Sequence, residues 1–158
     1  MLRDRQLHAV ISHLVQHPGD FRGAFVRLDP ASRNLFLAAF QSHLWNSILA
    51  RVLRNQCAAE TLFELAVDDQ PRPFYRSLDD DQRRHWANES LPLPSARLHL
   101  AEGAVRQIIE EVVREFGMEL REIRVKYPRD SFFSKGWRPA VFFPQQLVQA
   151  TRPDELHP

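Results

Sequence analysis

Asp29-Pro30 opens the segment that most limits what this chain can fold into. Asp29 is a good N-cap and Pro30 suits the first helical position. Beyond them Leu37, Phe40, Leu44, Ile48 and Val52 form one helical stripe. Leu35, Ala38, Ala39, Leu49 and Leu53 widen that stripe until little polar face is left. A helix running on to about Asn55 is roughly 39 Å long at 1.5 Å per residue. A helix apolar nearly all round belongs in an interior. Yet Gln41, Ser42 and Asn46 sit in its middle, and a buried polar group without a partner costs about 1–3 kcal/mol.

Ser42 and Asn46 are four apart and share a face, Gln41 lies beside Ser42, and Trp45 follows Gln41 by one turn. Two readings are open. In the structural one these groups hydrogen-bond the backbone of a neighbouring loop or strand and fix its position, the commonest duty of buried polar groups. In the functional one they touch a ligand or RNA directly.

The rest of the chain divides into helices first and mixed elements later. Leu7, Val10, Ile11, Leu14 and Val15 place a helix near residues 2–17, broken by Pro18-Gly19-Asp20. A short helix is expected from Phe21 to Leu28. After the long helix, Thr61 to Val67 reads as a strand, and Pro71 and Pro73 mark a turn before Phe74-Tyr75. Asp79-Asp80-Asp81 opens a short helix, its charges complementing the N-terminal dipole. Leu91-Pro92-Leu93-Pro94 is an extended linker. Val105, Ile108, Ile109, Val112, Val113 and Phe116 predict an amphipathic helix stopped by Gly117. Glu119 to Lys126 fits helix or strand. Pro139 to Phe143 reads as a short apolar strand and Leu147 to Thr151 as another. The expected class is α+β: a helical N-terminal third with a long buried helix, then a mixed small sheet with packed helices.

At 158 residues the chain fits one domain able to bury a core without disulfides. Its one cysteine, Cys57, excludes a disulfide framework and fits a reducing compartment. Net charge is +1, so there is no global basic field. Of the 21 cations all but Lys126 and Lys135 are arginines. Arginine suits phosphate because its planar fork can hold two oxygens, although codon usage in a GC-rich genome is the plainer source of the bias. No apolar run approaches the ~20 residues that span a bilayer. The N-terminus leads into an amphipathic segment unlike a signal peptide, and a cytoplasmic protein without membrane contact is expected.

Residues of catalytic type are scattered. His13 and His17 stand at i, i+4, but His8 is on another face and no further ligand is placed to complete a zinc site. No metal or organic cofactor is expected. Cys57 follows a helix end and has no activating partner in sequence. Asp68-Asp69 and Asp79 to Asp81 suit turns and caps better than acid–base pairs. The segment from Lys126 to Arg138 differs: four cations, four aromatics and two serines fall within thirteen residues. Lys126, Arg129, Lys135 and Arg138 suit phosphates, and an outward ring such as Phe133 suits an unstacked base. Equally, the aromatics could pack inward while the charges are merely solvated. If Phe132 and Phe133 straddle a strand, only one faces outward.

Three stretches together resemble one family, the TruD-type tRNA pseudouridine synthases. Arg33-x-x-Phe36-Leu37-x-Ala39-Phe40-Gln41-Ser42-x-Leu44-Trp45-Asn46 is similar to that family's helix in which aromatic-Gln-Ser is followed by aromatic-Asn. Leu91-Pro92-Leu93-Pro94 resembles the proline linker of its inserted domain. Phe132-Phe133-Ser134-Lys135-Gly136-x-Arg138, Phe143-Pro144-x-x-Leu147 and Pro153-Asp154-Glu155-Leu156 resemble the run leading back to its catalytic domain. The resemblance implies conversion of a tRNA uridine, at position thirteen, to pseudouridine, without cofactor, in a cleft between two domains. It also implies a catalytic aspartate in a Gly-x-Lys-Asp context. Neither Lys126 nor Lys135 precedes an aspartate, so no catalytic residue is assigned.

The chain therefore reads as residues 1–152 of inserted domain, with 153–158 as a tail towards an absent catalytic domain. It is expected to bind tRNA, to shape the cleft and to be inactive alone. Its partners would be tRNA and the remaining catalytic domain. Two alternatives stay open: a stand-alone RNA-binding module, or a helical protein-interaction domain using Phe36, Phe40 and Trp45 as one exposed patch. Faces meant for another domain, on the first helix and the final segment, are expected to be exposed and to promote self-association or fraying.

Overall fold

The computed structural model describes residues 2–67 and 70–143. Its spine is the long helix. Two short helices precede it, α1 (Leu2–Gln16) and α2 (Phe21–Val26), and the spine itself is α3 (Pro30–Gln56). Asp29 caps α3 by accepting from Ser32 N at 3.0 Å and from Ser32 Oγ at 2.6 Å, with Pro30 at the first turn. Helix α1 docks on α2 through His13, whose Nε2 lies 2.9 Å from Asp20 Oδ2. Gly23 makes this approach feasible, because a Cβ there would collide with both side chains.

Past α3 the chain forms a ribbon of β1 (Leu62–Val67) and β2 (Gln70–Tyr75), paired antiparallel from Leu62↔Tyr75 to Val67↔Gln70. Pro71 and Pro73 are thus inside a strand and do not form the turn their residue type predicts. They alternate, so both missing N–H groups fall on one edge of β2, and a two-stranded ribbon has an outer edge to spare. Helix α4 (Asp80–Asn88) follows, with a reciprocal cap between Asp79 and Gln82. Strand β3 (Ser90–Pro92) pairs antiparallel with β4 (Trp137–Pro139), and α5 (Ala104–Glu115) lies between them in sequence. Gly117, at φ +70°, ends the α5 turn.

The class is α+β. Among the described residues the strands form two separate antiparallel pairs, where one small mixed sheet was expected. The late strand is Trp137–Pro139 and not the expected Pro139 to Phe143: its partner β3 spans only Ser90–Pro92, so pairing stops at Pro139 and Ala140 to Phe143 is irregular. Glu119 to Lys126 is neither a regular helix nor a strand: a single 3₁₀ turn at Leu120–Glu122 passes into irregular chain. The expected strand from Leu147 to Thr151 and the tail 153–158 lie outside the described residues.

The core is a seam between α3 and α5. Leu44, Ile48 and Val52 meet Ile109, Val112 and Val113, with Trp86, Leu91, Ile123 and Ala140 closing the ends. Burying each such aliphatic side chain contributes roughly 1.5–3 kcal/mol. Helix α3 is not buried all round. Leu35, Phe36 and Asn46 are exposed, because the elements that cover α3 reach only part of its circumference. Phe36 is exposed, Phe40 half-buried and Trp45 buried, so these three rings do not make one surface patch. On α1, Leu7, Ile11 and Val15 form an exposed apolar row.

Candidate nucleic-acid interface

The polar residues of α3 sort onto two faces. Arg33, Gln41 and Trp45 turn inward and hold the backbone of neighbouring segments. Arg33, buried, donates from Nε to Ser131 Oγ at 2.8 Å, from Nη1 to Val26 O at 3.1 Å and to Leu28 O, and from Nη2 to Asp130 Oδ2 at 2.6 Å. Asn34 adds a bond to Asp130 O at 3.1 Å. Gln41 donates to Pro94 O at 2.9 Å and to Ser134 O at 2.8 Å, and accepts from Ser134 N at 3.1 Å. Trp45 Nε1 donates to Leu91 O at 3.2 Å. Gln41 thereby serves backbone that no ladder serves, as the structural reading expects.

Ser42 and Asn46 turn the other way. About 100° separates successive residues on a helix, so Ser42 leaves the face that Gln41 occupies. Asn46 is exposed and is not a buried amide at all; with half-buried Ser42 it lines a hollow under β2. The sequence grouped Gln41, Ser42 and Asn46 by their chemistry, and helical geometry divides them.

The latch built by Arg33 and Gln41 orders the segment from Asp130 to Ser134. Ser131 is buried beneath Arg33. The next two residues alternate, as an extended chain must. Phe132 points out, 65% exposed, while Phe133 packs on the core with its ring 6.5 Å from Phe40. The outward ring is thus Phe132, and Phe133 is the inward one. Lys135 follows on the surface, and Gly136, at φ +129°, turns the chain into β4.

Phe132, Phe133, Ser134 and Lys135 form one wall of a hollow of about 440 Å³. Arg97 and Arg124 stand on the other side. They meet because Ala96 N donates to Ile123 O at 3.0 Å, clasping two segments that are distant in sequence. Arg124 also borders a second hollow with Arg121, Glu122 and Lys126. Arg121 is bound to Glu119 at 2.5 Å, whereas Arg97, Arg124, Lys126 and Lys135 make no ion pair among the described residues. Arg97, Arg124 and Lys135 share a hollow with the exposed Phe132 ring, and Lys126 lies beside Arg124 in the next one; together they offer anchor points for phosphates and a stacking surface for a base.

Two other expected cations stand apart. Arg129 is exposed but lines neither hollow. Arg138 lays its guanidinium over the Trp45 ring, 5.1 Å from the centroid. Arg97 and Arg124 were missed by sequence reasoning. The spacing Arg121-x-x-Arg124-x-Lys126 was a usable signal, but nothing local tells that Arg97 faces it.

Fold and surface together define a small α+β module with an arginine- and lysine-edged face held rigid by polar side chains of one helix. The family described as tRNA pseudouridine synthase D (TruD) matches residues 3–156, and the chain belongs to that family. It is 30% identical to a Methanopyrus kandleri protein named "Probable tRNA pseudouridine synthase D" over 118 residues, 74% of this chain and 25% of that protein. A Methanocaldococcus jannaschii protein, "Probable tRNA pseudouridine synthase D 2", is 24% identical over 66% of this chain and 24% of its own length. A Methanococcoides burtonii protein with the same name as the first is 24% identical over 99% of this chain and 39% of its own. The chain thus spans about a quarter to two fifths of the curated relatives it matches.

Proposed function

We propose that this chain is the tRNA-gripping portion of a TruD-type pseudouridine synthase, the enzyme that isomerises a tRNA uridine, at position thirteen, to pseudouridine. The observation that carries this reading is the hollow where exposed Phe132 meets Arg97, Arg124 and Lys135, with Lys126 beside Arg124 in the adjoining hollow, on a chain of this family. The cations hold phosphates while the latched loop keeps the ring in a fixed place. A target uridine must leave its stack before chemistry, so a second wall facing the reaction centre is physically useful. The chain alone leaves uridine unconverted, since neither lysine is followed by an aspartate. Its place of action is the cytoplasm.

Fluorescence anisotropy with unmodified tRNA at stepped salt tests the binding. Replacing Arg97, Arg124, Lys126 and Lys135 by alanine should weaken binding and flatten the slope of log K against log salt, by roughly 0.7–0.9 for each phosphate that is no longer neutralised. An unchanged slope removes this face from consideration. Incubation of tRNA with the chain, followed by nucleoside mass spectrometry, should show no pseudouridine. Robust conversion overturns the claim of inactivity.

A further inference from the structure

The hollow on the other side of α3 has a composition of its own. It measures about 390 Å³ and lies between α3 and β2. That volume is within the ~300–1,000 Å³ usual for small-ligand sites. Leu49, Ala50 and Leu53 supply an apolar floor, and Phe74 stands at its border, 41% exposed, with its ring centroid 5.9 Å from Phe63. Ser42, His43 and Asn46 line one side and Arg72 another. Among the described residues no acidic side chain lines it.

Two details point to a ligand. The Asn46 amide and the Ser42 hydroxyl have no side-chain hydrogen bond among the described residues, in contrast to Ser47, which donates to His43 O at 3.0 Å. Arg72 is held in place by a bond to Ser47 Oγ at 3.1 Å and makes no ion pair among the described residues. A free amide presents a donor beside an acceptor, the arrangement that meets the edge of a nucleobase. A half-exposed phenyl ring stacks on such a base. A fixed, unpaired guanidinium takes the phosphate attached to it.

We infer that Ser42, Asn46, Arg72 and Phe74 form a binding site for one unstacked nucleotide of RNA, on a face of α3 different from the one that serves the basic loop. The inference rests on the reading that this chain binds RNA, and it adds recognition of a base to the backbone grip. Asn46 and Ser42 meet the base edge, Phe74 meets its plane, and Arg72 meets the phosphate.

Two single-stranded RNAs of equal length test it on the whole chain, one with all bases and one with abasic sugars throughout. Asn46→Ala should weaken the complete strand by about tenfold, as expected when a base edge is left without its partner, and leave the abasic strand unchanged. Asn46 is exposed and alanine favours helix, so this variant keeps its fold. Phe74→Leu should act likewise while preserving the ribbon. A strand carrying 5-iodouridine should photocrosslink to the peptide containing Phe74. If both variants bind the complete strand as tightly as the parent and no crosslink maps to α3 or β2, this site is refuted while the basic face stands. If neither strand binds even at low salt, the RNA reading fails and this inference fails with it. Loss of affinity for both strands alike would assign Asn46 to the backbone grip and overturn the role in holding a base.

Discussion

The Gln41 side chain clasps Ser134 from both sides: its Oε1 accepts from Ser134 N at 3.1 Å and its Nε2 donates to Ser134 O at 2.8 Å. An amide closed onto one residue's backbone in this way does what a neighbouring strand would do, in a place where no strand runs. Gln41→Leu keeps the apolar volume but leaves Pro94 O and both groups of Ser134 without partners. The expected loss is about 2–3 kcal/mol of stability, read as a lower urea midpoint with unchanged slope.

Arg33 holds the other end of the same loop. Arg33→Lys retains the charge but replaces a fork by a point, so it cannot reach Ser131, Asp130 and two helix-end carbonyls together. A loss of about 1–3 kcal/mol is expected, most of it from unsatisfied groups. The ion pair contributes less, since the Asp130 side chain is half exposed. Chemical denaturation of Arg33→Lys beside Asp130→Asn checks this, with the aspartate variant expected to be the milder.

Phe132 and Phe133 should separate binding from folding. Phe133→Ala removes a ring packed on the core and should cost about 2 kcal/mol. Phe132→Ala should change stability by no more than about 0.5 kcal/mol while weakening tRNA binding several-fold. The paired measurement is thermal melting against anisotropy. Equal effects of the two variants on both would contradict the alternation.

Acid should weaken the helix caps. Hydrogen bonds from the Ser32 hydroxyl and then the Ser32 amide lower the Asp29 carboxyl from 3.8 to about 2. Asp20 is held below its ordinary value by the Gly23 amide and then by His13. A depressed folded value means the unfolded chain binds protons more readily. The stabilisation is therefore whole above the unfolded value of about 4 and is lost as pH falls towards about 2. Asp29→Asn keeps a capping oxygen but no longer titrates. It should give a shallower decline of urea midpoint below about pH 4, and an unchanged decline would show that other carboxylates dominate.

Local chemistry was enough for the helices. Asp29-Pro30, Asp79-Asp80-Asp81, and the apolar stripe ending at Gly117 announce α3, α4 and α5 within a residue or two. The ribbon was harder, because Pro71 and Pro73 are turn residues by type and are tolerated in β2 only through the edge they face. The site was half legible. The loop from Lys126 to Arg138 stood out by composition, but which of two adjacent phenyl rings faces out depends on how Arg33 and Gln41 fix the backbone between them. That Arg97 joins Arg124 depends on the bond from Ala96 N to Ile123 O, which no window of sequence contains.

The bonds from Arg33 to Ser131 and from Gln41 to Ser134 join residues 98 and 93 positions apart. On a ribosome, then, α3 emerges long before the groups that satisfy its polar side chains exist. Loop closure over such a span is entropically costly and slow beside helix formation. The helices can assemble early, but the loop bearing Phe132 and Lys135 takes its shape only once nearly the whole described chain has been synthesised. Readiness for RNA is thereby tied to completion of the module: a nascent chain halted before Ser131 has its long helix and no latched surface to offer.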